Sequence, residues 1–214
     1  MSDYFSKTRI EYTKGELDEH TVASSPFEQF RGWFEAALLS EAHEPNACAL
    51  ATVGTGLQPS VRMVLLKSFD ERGFIFFSNY NSAKGQQLAR NRKAALVFYW
   101  PNTERQVRIE GSVVQLSDSE NDTYFSSRPR ESQFGSAVSR QSEVAESRAV
   151  LEESLSELRR AVGDGPVPRP THWGGYRIEP TLLEFWQGRE NRLHDRVRYL
   201  LETDGSWKIE RLWP

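Results

Sequence analysis

From Pro26 onward the apolar residues Phe27, Phe30, Trp33, Phe34, Ala37 and Leu38 recur at helical spacing, with Ser25 placed to cap the amino end. The period then changes. ACALATV (47–53) is a compact β-prone run, Gly54-Thr55-Gly56 a turn, and SVRMVLLKSF (60–69) a longer strand. Asp70-Glu71-Arg72-Gly73 reads as a hairpin-type connection into FIFFSN (74–79), SAKGQQLARN (82–91) as a short helix and AALVFYW (94–100) as a strand. In RQVRIEGSVVQLS (105–117) Val107, Ile109, Gly111 and Val113 share one face and Arg108 and Glu110 the other, the pattern of a strand with one solvated or ligand-facing side. A stretch broken by Pro129 follows, and then a helix from Ser142 whose apolar stripe is Leu151, Leu155, Leu158 and Val162. GDGPVPRP (163–170) must be loop. Strands are predicted at GGYRIEP, TLLEFWQ, RLHDRVRYLLE and SWKIERLW, the last two joined by an Asp204-Gly205 turn.

Strands that follow one another by short turns favour an antiparallel barrel or sandwich with helices packed outside, an α+β chain that is mainly antiparallel β. Residues 1–24 are polar and mixed in charge and are expected to form a mobile arm; residues 25–214 read as a single domain. Across 214 residues, 27 Lys plus Arg stand against 30 Asp plus Glu, a balance that argues against a generally basic nucleic-acid binder and leaves room for a local basic pocket. Cys48 is the only cysteine, which excludes an intrachain disulfide or a thiolate metal cluster, and His20, His43, His172 and His194 lack ligand spacing. The amino-terminal stretch has no apolar core, and no run reaches the roughly 18 apolar residues of a membrane span. The expectation is a cytoplasmic protein. GTGLQP carries Pro59 where a dinucleotide fingerprint needs its third glycine, and there is no phosphate-binding Walker loop or nucleophile elbow.

What stands out is cationic and polar residues inside predicted strands. Arg62 and Lys67 bracket Met63-Val64-Leu65-Leu66; five apart, they point to opposite faces of a regular strand, or to one site across a bend. Lys84 follows Ser78-Asn79 at the start of a short helix, a place suited to an anion, although alone it reads first as a solvated lysine. Tyr124, Arg128, Arg130 and Ser132 cluster about Pro129, where cations, a hydroxyl and a phenol suit a phosphate as well as they suit an exposed helix end. Gln141-Ser142 opens the long helix, with Ser142 most simply its cap. Trp186 lies near Gly188, and Arg192, His194 and Arg196 fall on one face of the predicted strand, costly in a core and suited to an anionic ligand.

Arg62-Met63-Val64-Leu65-Leu66-Lys67, ERQVRIEG, YFSSRPRESQ, the Gln141-Ser142 pair, FWQG-x-E-x-RLHDR and the carboxyl-terminal WKI-x-RL-x-P occur in one order over nearly the whole chain. In this the sequence resembles the pyridoxine (pyridoxamine) 5′-phosphate oxidases. The resemblance implies an FMN-binding split β-barrel of Greek-key type with surrounding helices. It also implies a homodimer with FMN sites at the subunit interface, and oxidation of pyridoxamine or pyridoxine 5′-phosphate to pyridoxal 5′-phosphate with dioxygen reduced to hydrogen peroxide. Position by position, it assigns FMN contacts to Arg62, Met63, Val64, Leu65, Leu66, Lys67, Phe77, Ser78, Lys84, Gln106, Gln141, Ser142, Trp186 and Arg196. Substrate contacts fall to Lys67, Tyr124, Arg128 and Ser132, and to Arg192, Leu193 and His194, with Arg192 and His194 at the reacting carbon; Arg9 and Tyr12 match an amino-terminal lid.

Two positions depart from the family pattern. Ala83 stands where Arg is usual, which removes one expected contact to the FMN phosphate; Arg189 stands where a second Gly is usual, which places a bulky cation near the expected flavin. Two other functional classes share such a fold: a flavin-binding protein without turnover, and a nicotinamide-dependent flavin reductase. Neither needs the Tyr124/Arg128/Ser132 group or the Arg192-x-His194 pair.

Overall fold

The computed structural model describes residues 11–41 and 43–214. Contacts divide the chain into two compact units, one made of the chain up to Leu50 with Ala95–Gly111 and Pro180–Pro214, the other of Ala51–Ala94 and Ser112–Glu179. The helices are α1 (Pro26–Ser40), α2 (Ala83–Arg90), α3 (Asp118–Ser127), α4 (Arg130–Val138) and α5 (Arg148–Val162). The strands are β1 (Ala47–Val53), β2 (Pro59–Leu65), β3 (Ser68–Asp70), β4 (Gly73–Asn79), β5 (Lys93–Trp100), β6 (Arg105–Gln115), β7 (Trp173–Gln187), β8 (Asp195–Leu201) and β9 (Trp207–Arg211). They form one sheet in the order β2-β1-β5-β6-β7-β4-β3, with β8 pairing β7 and β9.

In the first unit, α1 buries Phe27, Phe30, Trp33 and Ala37 as its spacing predicts, whereas Leu38 is exposed. Ser25 occupies the cap position but its side chain makes no capping bond. The aromatic core is built edge to face: Trp33 meets Phe185 at 5.2 Å, Phe30 meets Phe98 at 5.3 Å, and Phe185 meets Tyr199 at 5.5 Å. The alternation in β6 holds, with Val107 and Ile109 fully buried and Val113 nearly so.

In the second unit, the predicted 60–69 strand is broken. β2 ends at Leu65, Leu66 is buried, Lys67 donates its N–H to Ile75 O at 2.8 Å, and β3 begins at Ser68. The two strands read at GGYRIEP and TLLEFWQ are instead one strand of 15 residues. Its Trp173–Ile178 half pairs with β4 and its Leu182–Gln187 half with β8. Pro180 falls between the two registers, the place in a strand interior where a missing N–H is tolerated. Helix α5 also begins later than read: Ser147, not Ser142, caps it, accepting the N–H of Val150 at 3.4 Å. Val144 is almost fully exposed, so no burial rewards an earlier start, while Leu155, Leu158 and Val162 pack on the Phe125, Phe134, Val167 and Trp173 cluster.

Gly73 closes the β3–β4 hairpin with φ at +141°, and a Cβ there would stand 2.0 Å from Ile178 O. Gly73→Ala therefore combines backbone strain with a collision against a paired strand. We expect a loss of about 3 kcal/mol or more in stability, read as a lower urea midpoint at unchanged slope.

Candidate functional site

A cavity of 840 Å³ opens in the second unit. Its lining gathers segments far apart in sequence: Arg62, Met63, Val64 and Leu65 of β2, Lys67 of the break, Phe77 and Ser78 of β4, and Ala83 and Lys84 of α2. Tyr124, Arg128 and Ser132 join them from the α3–α4 corner, and Gln141 and Ser142 from the turn before α5. The strand break explains why Arg62 and Lys67 serve one cavity: the chain bends between them, so five-residue spacing no longer sends them to opposite faces. Leu66 lies buried in that break and does not line the cavity.

The side chains are held by one another. Lys84 Nζ donates to Gln141 Oε1 at 2.9 Å and to Ser78 Oγ at 3.1 Å, and the Ala83 N–H donates to Ser142 Oγ at 3.1 Å. Ser142 reaches that place with φ at +77°, in a turn rather than on a helix end. Arg62 donates to Thr52 Oγ1 at 2.5 Å and to Gln87 Oε1 at 3.1 Å. Arg128 lies 4.7 Å from the Trp173 ring centroid and donates to Ser136 Oγ at 2.7 Å. Tyr124 stacks on Phe77 at 3.8 Å.

Four of the lining residues are cations, and none of them is a carboxylate. Burial lowers the Lys84 ammonium from its ordinary value, and the Arg62 charge lowers it further. Burial likewise lowers the Arg62 and Arg128 guanidiniums, which stay charged, and raises the Tyr124 phenol, which therefore stays a donor at neutral pH. Such a lining accommodates an anion and rejects a cation. Residues beyond those singled out from sequence also face the cavity. Gly135, Ser136 and Ser139 follow Ser132 at i+3, i+4 and i+7 along α4 and its end, a small polar face that helical spacing alone could have revealed. Asn79, bonded through Nδ2 to Ser139 O at 2.9 Å, has no such signal.

The remaining candidates lie in the first unit. Arg192 is not on a strand: Glu190–Arg192 form a short 3-10 turn with Asn191 at φ +55° and Arg192 at φ +62°, and β8 starts only at Asp195. The period-two face assigned to Arg192, His194 and Arg196 therefore does not exist. Arg196 is committed to its own unit, with Nε and Nη2 each 2.9 Å from Oε1 of the buried Glu184, and Nη1 donating to Trp213 O. Leu193 is exposed, and Gln106 sits half-buried in β6. The Trp186 and His194 rings meet tilted at 4.7 Å, and the Tyr12 ring stands edge-on to both at 5.6 Å. The Arg189 side chain turns to Gly15 O, Glu16 and Asp195, and its N–H donates to His194 Nδ1 at 3.1 Å. Arg9 lies outside the described residues.

Residues 34–160 match the family model described as pyridoxamine 5′-phosphate oxidase, and residues 173–214 match the pyridoxine 5′-phosphate oxidase C-terminal dimerisation region. The proteins named pyridoxine/pyridoxamine 5′-phosphate oxidase in Trichormus variabilis and Cupriavidus pinatubonensis are 55% and 54% identical. The first alignment covers 100% of both chains, the second 96% of this one and 97% of its relative. Among solved structures, PhzG from Burkholderia lata 383, in complex with tetrahydrophenazine-1-carboxylic acid, superposes with a TM-score of 0.86 at 33% identity. That superposition covers 94% of this chain and 100% of PhzG. A pyridoxamine 5′-phosphate oxidase-related, FMN binding protein from Nostoc punctiforme shares the fold, with a TM-score of 0.69 at 19% identity. The antiparallel sheet with its helices is thus of the split β-barrel class, and the chain is an oxidoreductase of that class. It belongs to the pyridoxine/pyridoxamine 5′-phosphate oxidase family. Among the described residues no helix is long and apolar enough to cross a membrane.

Burial lowers the His194 imidazole below its ordinary value of 6.5, and the Arg192 charge lowers it further. The Arg189 N–H on Nδ1 acts the same way, since protonation there would set two donors against each other. A depressed basic group stabilises the fold above its unfolded pKa, and that stability is lost as pH falls through the folded value. We expect the His194 ring to titrate below 6.5 by NMR, with the proton on Nε2 in the neutral form. The stability of the wild-type protein, compared with His194→Asn, should fall over that same acidic interval.

Proposed function

We propose that this protein oxidises the 4′ carbon of pyridoxamine 5′-phosphate and pyridoxine 5′-phosphate to the aldehyde of pyridoxal 5′-phosphate, directly from the alcohol and, from the amine, through an imine that water hydrolyses with release of ammonia. The hydride acceptor is FMN, dioxygen is reduced to hydrogen peroxide, and the working form is a homodimer with its FMN sites at the subunit interface. The observation that carries the reading is the cavity whose lining holds Arg62, Lys67, Lys84 and Arg128 with no carboxylate, in a chain of net charge -3. A cofactor and a substrate that each bear a phosphate account for such a lining; a neutral substrate and a neutral cofactor do not. The match of residues 173–214 to a dimerisation region supports the homodimer.

The donor set fits FMN. Lys84, Ser78 and Gln141 form one bonded group that, with Ser142 on the neighbouring Ala83 N–H, would hold its phosphate, and Arg62, Met63, Val64, Leu65 and Lys67 would supply backbone and side-chain contacts to the rest. When bound, FMN supplies the hydride acceptor and the route to dioxygen. The chain's own residues bind, orient and exclude water. Arg128, fixed by Trp173 and Ser136, and Tyr124, kept protonated, would take the substrate phosphate with Ser132 and Lys67. Arg192, charged at all working pH values, suits positioning and charge stabilisation. His194 carries its proton at Nε2 in the neutral form, which makes that atom a donor to a substrate group and leaves Nδ1 occupied. Hydride transfer demands geometry above all, so orientation is the main role of both.

The deciding experiment incubates the purified protein, reconstituted with FMN, with pyridoxamine 5′-phosphate and follows aldehyde and hydrogen peroxide. Equal yields of the two support the oxidase; bound flavin with no turnover supports a carrier, and turnover only with a nicotinamide donor supports a reductase. Arg128→Ala should raise KM for the phosphorylated substrates about 30-fold, the equivalent of roughly 2 kcal/mol for a charged hydrogen bond. FMN content should stay near normal, because the FMN phosphate is assigned to the Lys84 group. Parallel loss of flavin would show that the two phosphates share their donors.

A further inference from the structure

The segment that carries Tyr12 is tied to the body of its unit along residues 13–17. Glu104, 4% exposed and with φ at +57°, accepts the N–H groups of Thr13 and Lys14 on one carboxylate oxygen at 2.8 and 2.9 Å. Its carbonyl accepts the Gly188 N–H at 2.8 Å, so a single residue joins the segment to the end of β7. Arg189 Nη1 donates to Gly15 O at 3.3 Å and lies 3.5 Å from Glu16 and 3.6 Å from Asp195. The Asp195 carboxylate in turn accepts the Leu17 N–H at 3.1 Å, and Leu17 is buried. Between these ties the Tyr12 ring lies directly on Gly188, where a Cβ would stand 2.6 Å from its Cγ, and edge-on to Trp186 and His194.

We infer that Glu104 and Arg189 are positioning residues for the oxidation, latching residues 13–17 so that Tyr12 is held against Trp186 and His194. This rests on the reading of Tyr12 and His194 as substrate contacts under the proposed function. The division of labour at position 189 makes the latch testable by itself. Its N–H serves His194 and survives any substitution other than proline, whereas its side chain alone serves the segment. Arg189→Gly therefore loosens the latch, leaving the Glu104 ties in place, without touching the bond that orients His194. Gly188→Ala reaches the same end from the other side, since the new methyl group displaces the Tyr12 ring and needs no change at the latch.

The test uses the full-length protein reconstituted with FMN, and two measurements. The first is native-state trypsin cleavage of the Lys14–Gly15 bond, followed by mass spectrometry; Lys14 is exposed, so the cutting rate reports release of its backbone. The second is steady-state kinetics with pyridoxamine 5′-phosphate for Arg189→Gly, Gly188→Ala, Tyr12→Ala and the double variants. We expect Arg189→Gly to be cut about ten-fold faster and to raise KM about five-fold, in keeping with a part-exposed charged contact, with kcat little changed. In the background of Tyr12→Ala, neither Arg189→Gly nor Gly188→Ala should raise KM further, because the ring they position is already gone. An unchanged cutting rate in Arg189→Gly overturns the latch. Faster cutting with unchanged KM, or KM effects that multiply with Tyr12→Ala, overturns the link to the reaction. A wild-type protein with no turnover overturns the proposed function and that link together, while the cutting rates still decide the latch.

Discussion

Arg62, Lys67, Lys84 and Arg128 line one cavity whose lining contains no carboxylate, so the cations must be held by something other than opposite charge. Like charges in one site disfavour each other, as the Arg62 charge does the Lys84 ammonium, and neighbours that fix their side chains offset that cost. The neighbours are neutral acceptors. Gln141 and Ser78 receive Lys84, Thr52 and Gln87 receive Arg62, and Ser136 with the face of Trp173 receives Arg128. Neutral acceptors satisfy the donors and leave the charge uncancelled. A carboxylate in any of those places would satisfy the same donors and abolish the attraction for an anion. Burial first, and the Arg62 charge second, lower the Lys84 ammonium, and an arriving phosphate would favour its charged form.

The first unit uses its charges in the opposite way. Glu184, almost fully buried, is flanked by Arg196 and by Arg108, whose Nη2 stands 2.9 Å from Oε2 in ion-pair range. Oε2 has no partner in line for a hydrogen bond, so this contact is Coulombic rather than directional. Pairs with one buried member add little net stability but hold that member's charge, since the Glu184 carboxylate would lie uncompensated without the two arginines. Arg196, singled out from sequence for its charge, is thereby fixed in orientation and partly neutralised. That makes it a different kind of cation from the four in the cavity.

Much of this was legible in the chain. The alternation of β6, the α1 stripe up to Ala37 and the Asp70–Gly73 hairpin follow from periodicity and turn chemistry, and each is where the pattern put it, while Leu38 is exposed. Arg62, Lys67, Lys84 and the Tyr124, Arg128 and Ser132 group stand out in the sequence as cations and hydroxyls where a packed strand or corner does not need them, whereas Met63, Val64, Leu65 and Phe77 are marked only by the family resemblance. Two of the misreadings have a common physical origin. Both the helix start at Ser142 and the strand through Arg192 assumed ordinary backbone, yet Ser142, Asn191 and Arg192 all occupy the left-handed region without being glycine. Such conformations leave no mark in composition, because tertiary contacts impose them against local preference. The bond of Ser142 Oγ to the Ala83 N–H is one such contact, and it lies 59 residues away in sequence. Glu104 is a fourth case, invisible as a functional candidate because its importance depends on backbone groups of Thr13 and Lys14.

The adjacent positions 188 and 189 separate what a glycine is for from where a glycine merely occurs. Gly188 cannot carry a side chain while Tyr12 stands where it does, so the constraint is steric and comes from another part of the chain. Position 189 has φ -136° and ψ 157°, extended backbone that any residue adopts, and its N–H reaches His194 whatever the side chain. The family pattern of two glycines therefore conceals one requirement and one freedom. This chain uses the freedom to place a guanidinium among Gly15 O, Glu16 and Asp195, directed to the tyrosine-bearing segment of its own unit. The bulky cation expected near the flavin is thus engaged by two carboxylates and a carbonyl. The cost to its conformational entropy is borne by contacts that tighten the amino-terminal segment.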